Sequence, residues 1–264
     1  MPMPQVKVPR GVPQTILWIL LIIASFLLGS LYTKVKYLEK GGTPTTTTTT
    51  QQQAPTKAVV TLDQVKDAFN KSIIKFGNAD SKLVLIEVAD PSCPYCHVAA
   101  GLNPELNKQI GDRFTLVADG GNYVAPVPEM KKLVDADKAS FAWLYTPGHG
   151  NGEMGTKALY CAFESNKFWE VHDALMTSEG YDLLNNTIKN DNTKSVELSQ
   201  FLASVFDENQ MKECLDSGKH DSRLQEDVQI ASGIGISGTP GFYINATNFS
   251  GAYSYTEMES AINL

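Results

Sequence analysis

Two of the four cysteines in this 264-residue chain stand close together, in the run Asp90-Pro91-Ser92-Cys93-Pro94-Tyr95-Cys96-His97. Thiols with two residues between them meet across one turn of helix, so the pair can close into a disulfide and exchange two electrons with other thiols. At the start of a helix, Cys93 would meet unpaired backbone N–H groups and the positive end of the peptide dipoles, both of which favour its thiolate. Cys93 is then the attacking sulfur, and Cys96, one turn on, resolves the mixed disulfide. Pro94 suits the first helical turn, where its missing N–H would go unpaired anyway.

The same residues admit other chemistry. A C-x-x-C pair is half of a zinc site, but no second pair of cysteines or histidines stands at ligand spacing. Cys93, Cys96 and His97 also spell C-x-x-C-H, the attachment pattern for c-type haem. Context separates the two readings. A redox dithiol needs a buried strand just before it to fix the helix start at the sheet edge, and haem attachment does not. That strand is present, so the dithiol reading is preferred. His97 is then a helix residue beside the site, and neither metal nor cofactor is expected.

The strand is KLVLIEVAD (82–90), an almost unbroken apolar run bounded by turn formers, which predicts burial on both faces. A short helix is expected over 62–72. The residues after Pro91 suit a helix over 93–110, kinked at Pro104. RFTLVADG (113–120) and ASFAWLYTPG (139–148) have strand character. The stretch 113–138, which contains GGNYVAPVPEMKKLVDAD, reads as a surface excursion. Helical spacing dominates from about 155 to 233, with FWEVHDALM as core packing. His149, in TPGHGNGEMG, reads as a surface residue. Strand character returns at 241–245 and again at 249–253, before a closing helix from Tyr255. The order predicts an α/β domain with a helical insertion. In GISGTPGFYIN (235–245), Pro240 belongs at a strand start because it cannot donate a ladder hydrogen bond. An X-Pro bond there can be cis, which would leave the Thr239 backbone open to an extended substrate chain.

Residues 15–32, TILWILLIIASFLLGSLY, carry no charge and are long enough to cross a bilayer core. Trp18 and Tyr32 lie near the ends of the run, where aromatic rings favour the membrane interface. Its length and the lack of a small-x-small cleavage site favour an uncleaved anchor over a signal peptide. Lys34, Lys36 and Lys40 follow it, so charge does not set its orientation; the redox chemistry does, placing residues 1–14 in the cytoplasm and the dithiol domain outside. Residues 33–57, rich in Thr, Gln and Pro, read as a flexible tether. The domain proper is expected over 58–264, with its insertion at about 155–233. A formal net charge of −7 and the lack of a basic stripe argue against nucleic acid as a partner.

IEVADPSCPYCH, followed by ALYCAFESNKFWEVHDALM and GISGTPGFYIN, resembles the DsbA-like branch of the thioredoxin superfamily, over most of residues 82–264. The resemblance implies a thioredoxin-like fold with an inserted helical subdomain. It makes Cys93 the nucleophile, Cys96 the buried resolving cysteine and Pro240 the cis-proline that faces them. It sets Pro94, Tyr95, His97 and Thr239 around the substrate. Glu87, six residues before Cys93, falls where many relatives carry an acid beneath the dithiol, and a buried carboxylate there could accept or relay the Cys96 proton. The plainer reading of Glu87 is an exposed strand residue. Some relatives carry a second disulfide in the insertion, which here would join Cys161 to Cys214. One departure is that many relatives have an aromatic residue where Pro91 or Val88 stands. The expected activity is disulfide formation in unfolded or reduced secreted proteins, with reoxidation by a thiol oxidase of a bacterial cell membrane. Pro94-Tyr95 also occurs in reducing relatives, so a tethered reductase or isomerase is the first alternative. A binding or assembly module, including a haem-carrying one, is the second.

Overall fold

The computed structural model of the protein describes residues 59–262 and Ser25. The expected stub (1–14), anchor (15–32) and tether (33–57) therefore lie outside the described residues, Ser25 excepted. Among the described residues no helix is long and apolar enough to cross a membrane.

The domain opens with helix α1 (Leu62–Lys71), held at its start by a reciprocal cap between Thr61 and Gln64. Strands β1 (Ile74–Phe76) and β2 (Val84–Ala89) follow, then helices α2 (Pro94–Ala100), α3 (Pro104–Ile110) and α4 (Pro126–Asp135), and strand β3 (Ser140–Tyr145). The helical block comprises α5 (Glu153–Glu164), α6 (Phe168–Leu175), α7 (Ser178–Asp182), α8 (Ser195–Phe201), α9 (Glu208–Asp216) and α10 (Asp221–Gly233). A π-helical turn, Leu183–Ile188, continues α7. Strands β4 (Gly241–Ile244) and β5 (Thr247–Ser250) and helix α11 (Tyr255–Ile262) close the domain.

The five strands lie in the order β1-β3-β2-β4-β5. β2 and β3 are parallel, and every other pairing is antiparallel. Side chains alternate across the sheet. Leu85, Ala89, Phe141, Trp143, Tyr145, Phe242 and Ile244 face the helical block. Val84, Ile86, Val88, Ala142, Leu144 and Tyr243 face α1 and the end of α10. The result is a thioredoxin-like α/β fold with a helical insertion between β3 and β4.

Several expectations need correcting. The helix over 93–110 is two helices. Gly101 ends α2 in a left-handed conformation (φ 70°), and Asn103 caps α3 by accepting from Leu106 N–H. Pro104 is thus the first residue of a new helix rather than a kink. Residues 113–120 are not a strand but two 3₁₀ turns, Asp112–Phe114 and Val117–Asp119, with a single bridge from Leu116 to Tyr123. The stretch 113–138 is not a surface excursion. Tyr123, Val127 and Met130 are buried, and α4 packs on β3 and α2 within the crossover between the two parallel strands. Pro126 and Pro128 hid this helix, yet both sit in its first turn, where no N–H is needed. β1 was missed because three residues carry no readable period. β5 begins two residues earlier than 249 and ends at Ser250. α10, spelled as part of the helical block, packs on α1 and β3.

Cys161 of α5 and Cys214 of α9 are joined by a disulfide that closes 53 residues of the insertion. Loop-closure entropy for that length corresponds to about 4 kcal/mol. Replacing both cysteines by alanine should lower the unfolding free energy by an amount of that order and steepen its dependence on urea, because the unfolded chain is freed to expand; equilibrium urea unfolding checks it.

Candidate active site

β2 ends at Ala89, and the next seven residues build the site. Cys93 is the cap residue of α2, with extended backbone (φ −78°, ψ 125°), and Pro94 is the first helical residue. Cys96 and His97 fold back through their N–H groups to Cys93 O, at 3.0 and 3.2 Å. Both thiols are free and buried, Cys93 at 4% exposure and Cys96 at 0%. Across from them the Thr239–Pro240 bond is cis. Cys93 Sγ donates to Thr239 O at 3.5 Å, which joins residues 146 apart in sequence.

The two sulfurs have opposite acidities. The Cys93 pKa falls from 9.0 to about 6, chiefly because Cys96 S–H donates to its thiolate. Burial opposes this shift, while the Thr239 hydroxyl and the N–H groups of Cys96 and Tyr95 add to it. Thr239 Oγ1 has no other partner among the described residues, so it is free to turn toward the sulfur. Burial pushes the Cys96 thiol well up, helped by its bond to Cys93 and by the charges of Cys93 and Glu87. At neutral pH the pair therefore shares one proton, held on Cys96.

Glu87 is not the exposed strand residue of the plainer reading. It is 1% exposed and sits in mid-sheet between Trp143 of β3 and Phe242 of β4. Burial raises its carboxyl from 4.5 to about 7, and only His172 pulls it back. His97 is fully buried and cannot meet substrate. Its Nδ1 lies 2.9 Å from Met176 O and its Nε2 2.9 Å from Pro91 O. Burial lowers its pKa to about 4, so the ring is neutral and donates to one carbonyl at a time. With both nitrogens against carbonyls, neither is free to ligate a haem iron. Tyr95, by contrast, is 44% exposed and packs edge-on to Phe114. Tyr95, Arg113, Phe114 and Thr239 line a cleft of about 460 Å³ beside the dithiol.

Asp90 was not anticipated from the sequence. It is fully buried and serves as the hub of the site. Its Oδ1 accepts from Ser92 N–H and Oγ–H at 2.7 and 2.6 Å. Its Oδ2 accepts from the amides of Gly148, His149 and Gly150 at 2.7, 2.9 and 3.4 Å. Five donors on one carboxylate offset the cost of burying it. The glycine-rich loop is thereby drawn against the dithiol: a Cβ at Gly148 would collide with the Thr239 side chain and press on Cys93 Cβ. The insertion is tied in as well, since Asn185 donates to Ser92 O at 3.1 Å. The readable signal was D-x-S just before the motif, a local pattern in which a carboxylate caps nearby amides.

With its charge on Cys93 and its proton on Cys96, the pair can open and close a disulfide with other thiols, so the protein is a thiol–disulfide oxidoreductase. A family model described as Thioredoxin matches residues 128–264, just over half of the chain, and the chain belongs to that family. The matched region begins after Cys93 and Cys96, so the dithiol is assigned by its geometry. Among solved structures the chain is similar to oxidised BdbD from Bacillus subtilis, at 18% identity, over 74% of this chain and 92% of that one, with a TM-score of 0.51. Wolbachia pipientis alpha-DsbA1 aligns at 17% identity over 72% and 88%, with a TM-score of 0.51. Chlamydia trachomatis DsbA aligns at 15% over 84% and 96%, also at 0.51. These likenesses establish the fold. A curated relative, the Na(+)/H(+) antiporter NhaA 3 of Salinispora tropica, is 24% identical over 190 residues, or 70% of this chain. The chain spans about a quarter (24%) of that protein's length.

Alkylation of Cys93 by iodoacetamide should rise with pH around a midpoint near 6. Cys96→Ala removes the largest cause of the shift and should move that midpoint upward. Linkage gives a second readout. The folded pKa is the lower one, so the reduced protein should gain stability as pH rises from about 6 toward 9 and lose it as pH falls through 6. Gly148→Ala should displace the Thr239 hydroxyl and slow alkylation at pH 7, measured against the unmodified protein.

Proposed function

We propose that the protein introduces disulfides into extracytoplasmic proteins, taking their electrons onto Cys93–Cys96. The observation that supports this reading is the unequal pair: an acidic Cys93 thiol over a buried, protonated Cys96. A site that stabilises its own thiolate stabilises the reduced form, and a dithiol stable when reduced is a disulfide that oxidises others. A substrate thiolate attacks Sγ of Cys93, the Cys93–Cys96 bond breaks, and Cys96 leaves and takes up a proton. A second substrate thiolate then attacks the substrate sulfur of the mixed disulfide. Cys93 departs as a thiolate, its low pKa making it the better leaving group. Two electrons pass from substrate to protein.

The substrate chain lies along the Thr239–Pro240 turn, with Tyr95 and the adjoining cleft meeting its side chains. Glu87 exchanges the Cys96 proton. The apolar run 15–32 anchors the domain on the outer side of a bacterial cell membrane, and the polar stretch 33–57 tethers it. A membrane thiol oxidase returns the dithiol to its disulfide.

Glutathione titration of the full chain measures the potential of Cys93–Cys96. A value near −120 mV marks an oxidant and fits this proposal, while one near −270 mV marks a reductase and overturns it. Cys93→Ser should abolish oxidation of a reduced, unfolded substrate.

A further inference from the structure

Cys96 is fully buried, so its proton cannot pass straight to water. Granting that Glu87 exchanges this proton, Glu87 must in turn exchange it with solvent. Glu87 shares its face of the sheet with Trp143, whose ring lies 6.2 Å from Phe168 of α6. One turn along α6 is His172, 1% exposed and stacked on Phe168 at 5.6 Å. Glu87 Oε2 and His172 Nε2 are both buried, and neither has a hydrogen-bond partner among the described residues. They lie within electrostatic reach of each other. The other ring nitrogen, Nδ1, lies 2.9 Å from Asp173 Oδ1. The Asp173 side chain is 51% exposed.

We propose that His172 and Asp173 carry the Cys96 proton between Glu87 and solvent, through the helical insertion. Asp173 accepts the Nδ1 hydrogen, which fixes the tautomer and leaves the Nε2 lone pair inside, on the side of the buried carboxyl. During reoxidation Cys96 S–H gives its proton to the Glu87 carboxylate. Glu87 and His172 Nε2 are not hydrogen-bonded to each other, so a turn of the Glu87 side chain or one bridging water hands the proton across to Nε2, and the imidazolium releases its Nδ1 proton to Asp173 and water. During substrate oxidation the same protons run inward and neutralise the departing Cys96 thiolate. Each step moves one proton and no electrons. The ionisable groups around the path are Cys93, Cys96 and His97 from the dithiol helix, Glu87 from β2, and Asp173 beside His172.

The test uses the full chain carrying glutathione on Cys93. Its release by Cys96 is timed from pH 5.5 to 9, in water and in deuterium oxide. Glu87→Gln should slow release about a hundredfold, the low end of what a positioned acid–base group supplies. His172→Gln and Asp173→Asn should each slow it about tenfold, raise the solvent isotope effect, and leave the alkylation midpoint of Cys93 unchanged. If Glu87→Gln is slow but the other two match the parent protein in rate, isotope effect and pH profile, the relay is overturned and the role of Glu87 stands. If Glu87→Gln also matches the parent, both fall. A shifted Cys93 midpoint in His172→Gln and Asp173→Asn would mark a structural role and likewise overturn the relay. Should His172→Gln fail to fold, Asp173→Asn, at an exposed carboxylate, decides alone.

Discussion

β2 is hydrogen-bonded along both edges, to β3 and to β4, and buried on both faces. A strand held in this way has no freedom to shift by a residue, because a one-residue slip would send every side chain to the wrong face. Its C-terminal end is therefore a fixed point. Glu87 is set in mid-sheet, Asp90 one residue past the end, and Cys93 at the start of the helix that follows. The opposing turn, Thr239–Pro240, leads into β4, the other neighbour of β2, so the sheet itself sets the distance from Cys93 Sγ to Thr239 O.

From that fixed point the chemistry is a matter of unequal solvation. Cys96, the Thr239 hydroxyl and the N–H groups of the helix start favour the Cys93 thiolate, and its charge is welcome. Cys96 lies deeper, meets the Cys93 thiolate and Glu87, and keeps its proton. A symmetric pair would leave the charge undirected, and substrate would find two equivalent sulfurs. The buried polar residues around the pair serve this asymmetry. Asp90 satisfies five donors and pins the glycine loop against Cys93, while His97 joins the end of α6 at Met176 to the turn at Pro91.

The insertion is thus more than an added block of helices. Asn185 donates to Ser92 beside the dithiol, His97 of the dithiol helix reaches Met176 at the end of α6, Phe168 of α6 packs near Trp143 of β3, and the Cys161–Cys214 bond ties the insertion's first and fifth helices together. The exposed face of the site, with Tyr95, Phe114 and the neighbouring cleft, belongs to the thioredoxin-like part.

Much of this was legible from local pattern. The apolar run at 82–90, the C-x-x-C after it and the Thr-Pro before a strand each carry their own signal, because strand burial, helix starts and proline placement are decided within a few residues. What the chain alone could not show depends on distant partners. Pro104 and Pro126 each begin a helix because capping and packing let them; three residues become β1 because Trp143 and Phe141 lie beside them. The role of Asp90 as a hub is hidden in the chain because three of its five donors come from residues 148–150, nearly sixty positions away. Residues 1–57 carry readable composition: an apolar run and a polar tract. The central chemistry lies between these cases. Residue type and spacing determined that Cys93 and Cys96 form a redox pair, since a helical turn brings such thiols together wherever it occurs. The helix start already pointed to Cys93 as the thiolate; only the tertiary structure decided how far the two acidities part, because the burial of Cys96 and the Thr239 turn opposite Cys93 are set by what the fold packs around each sulfur.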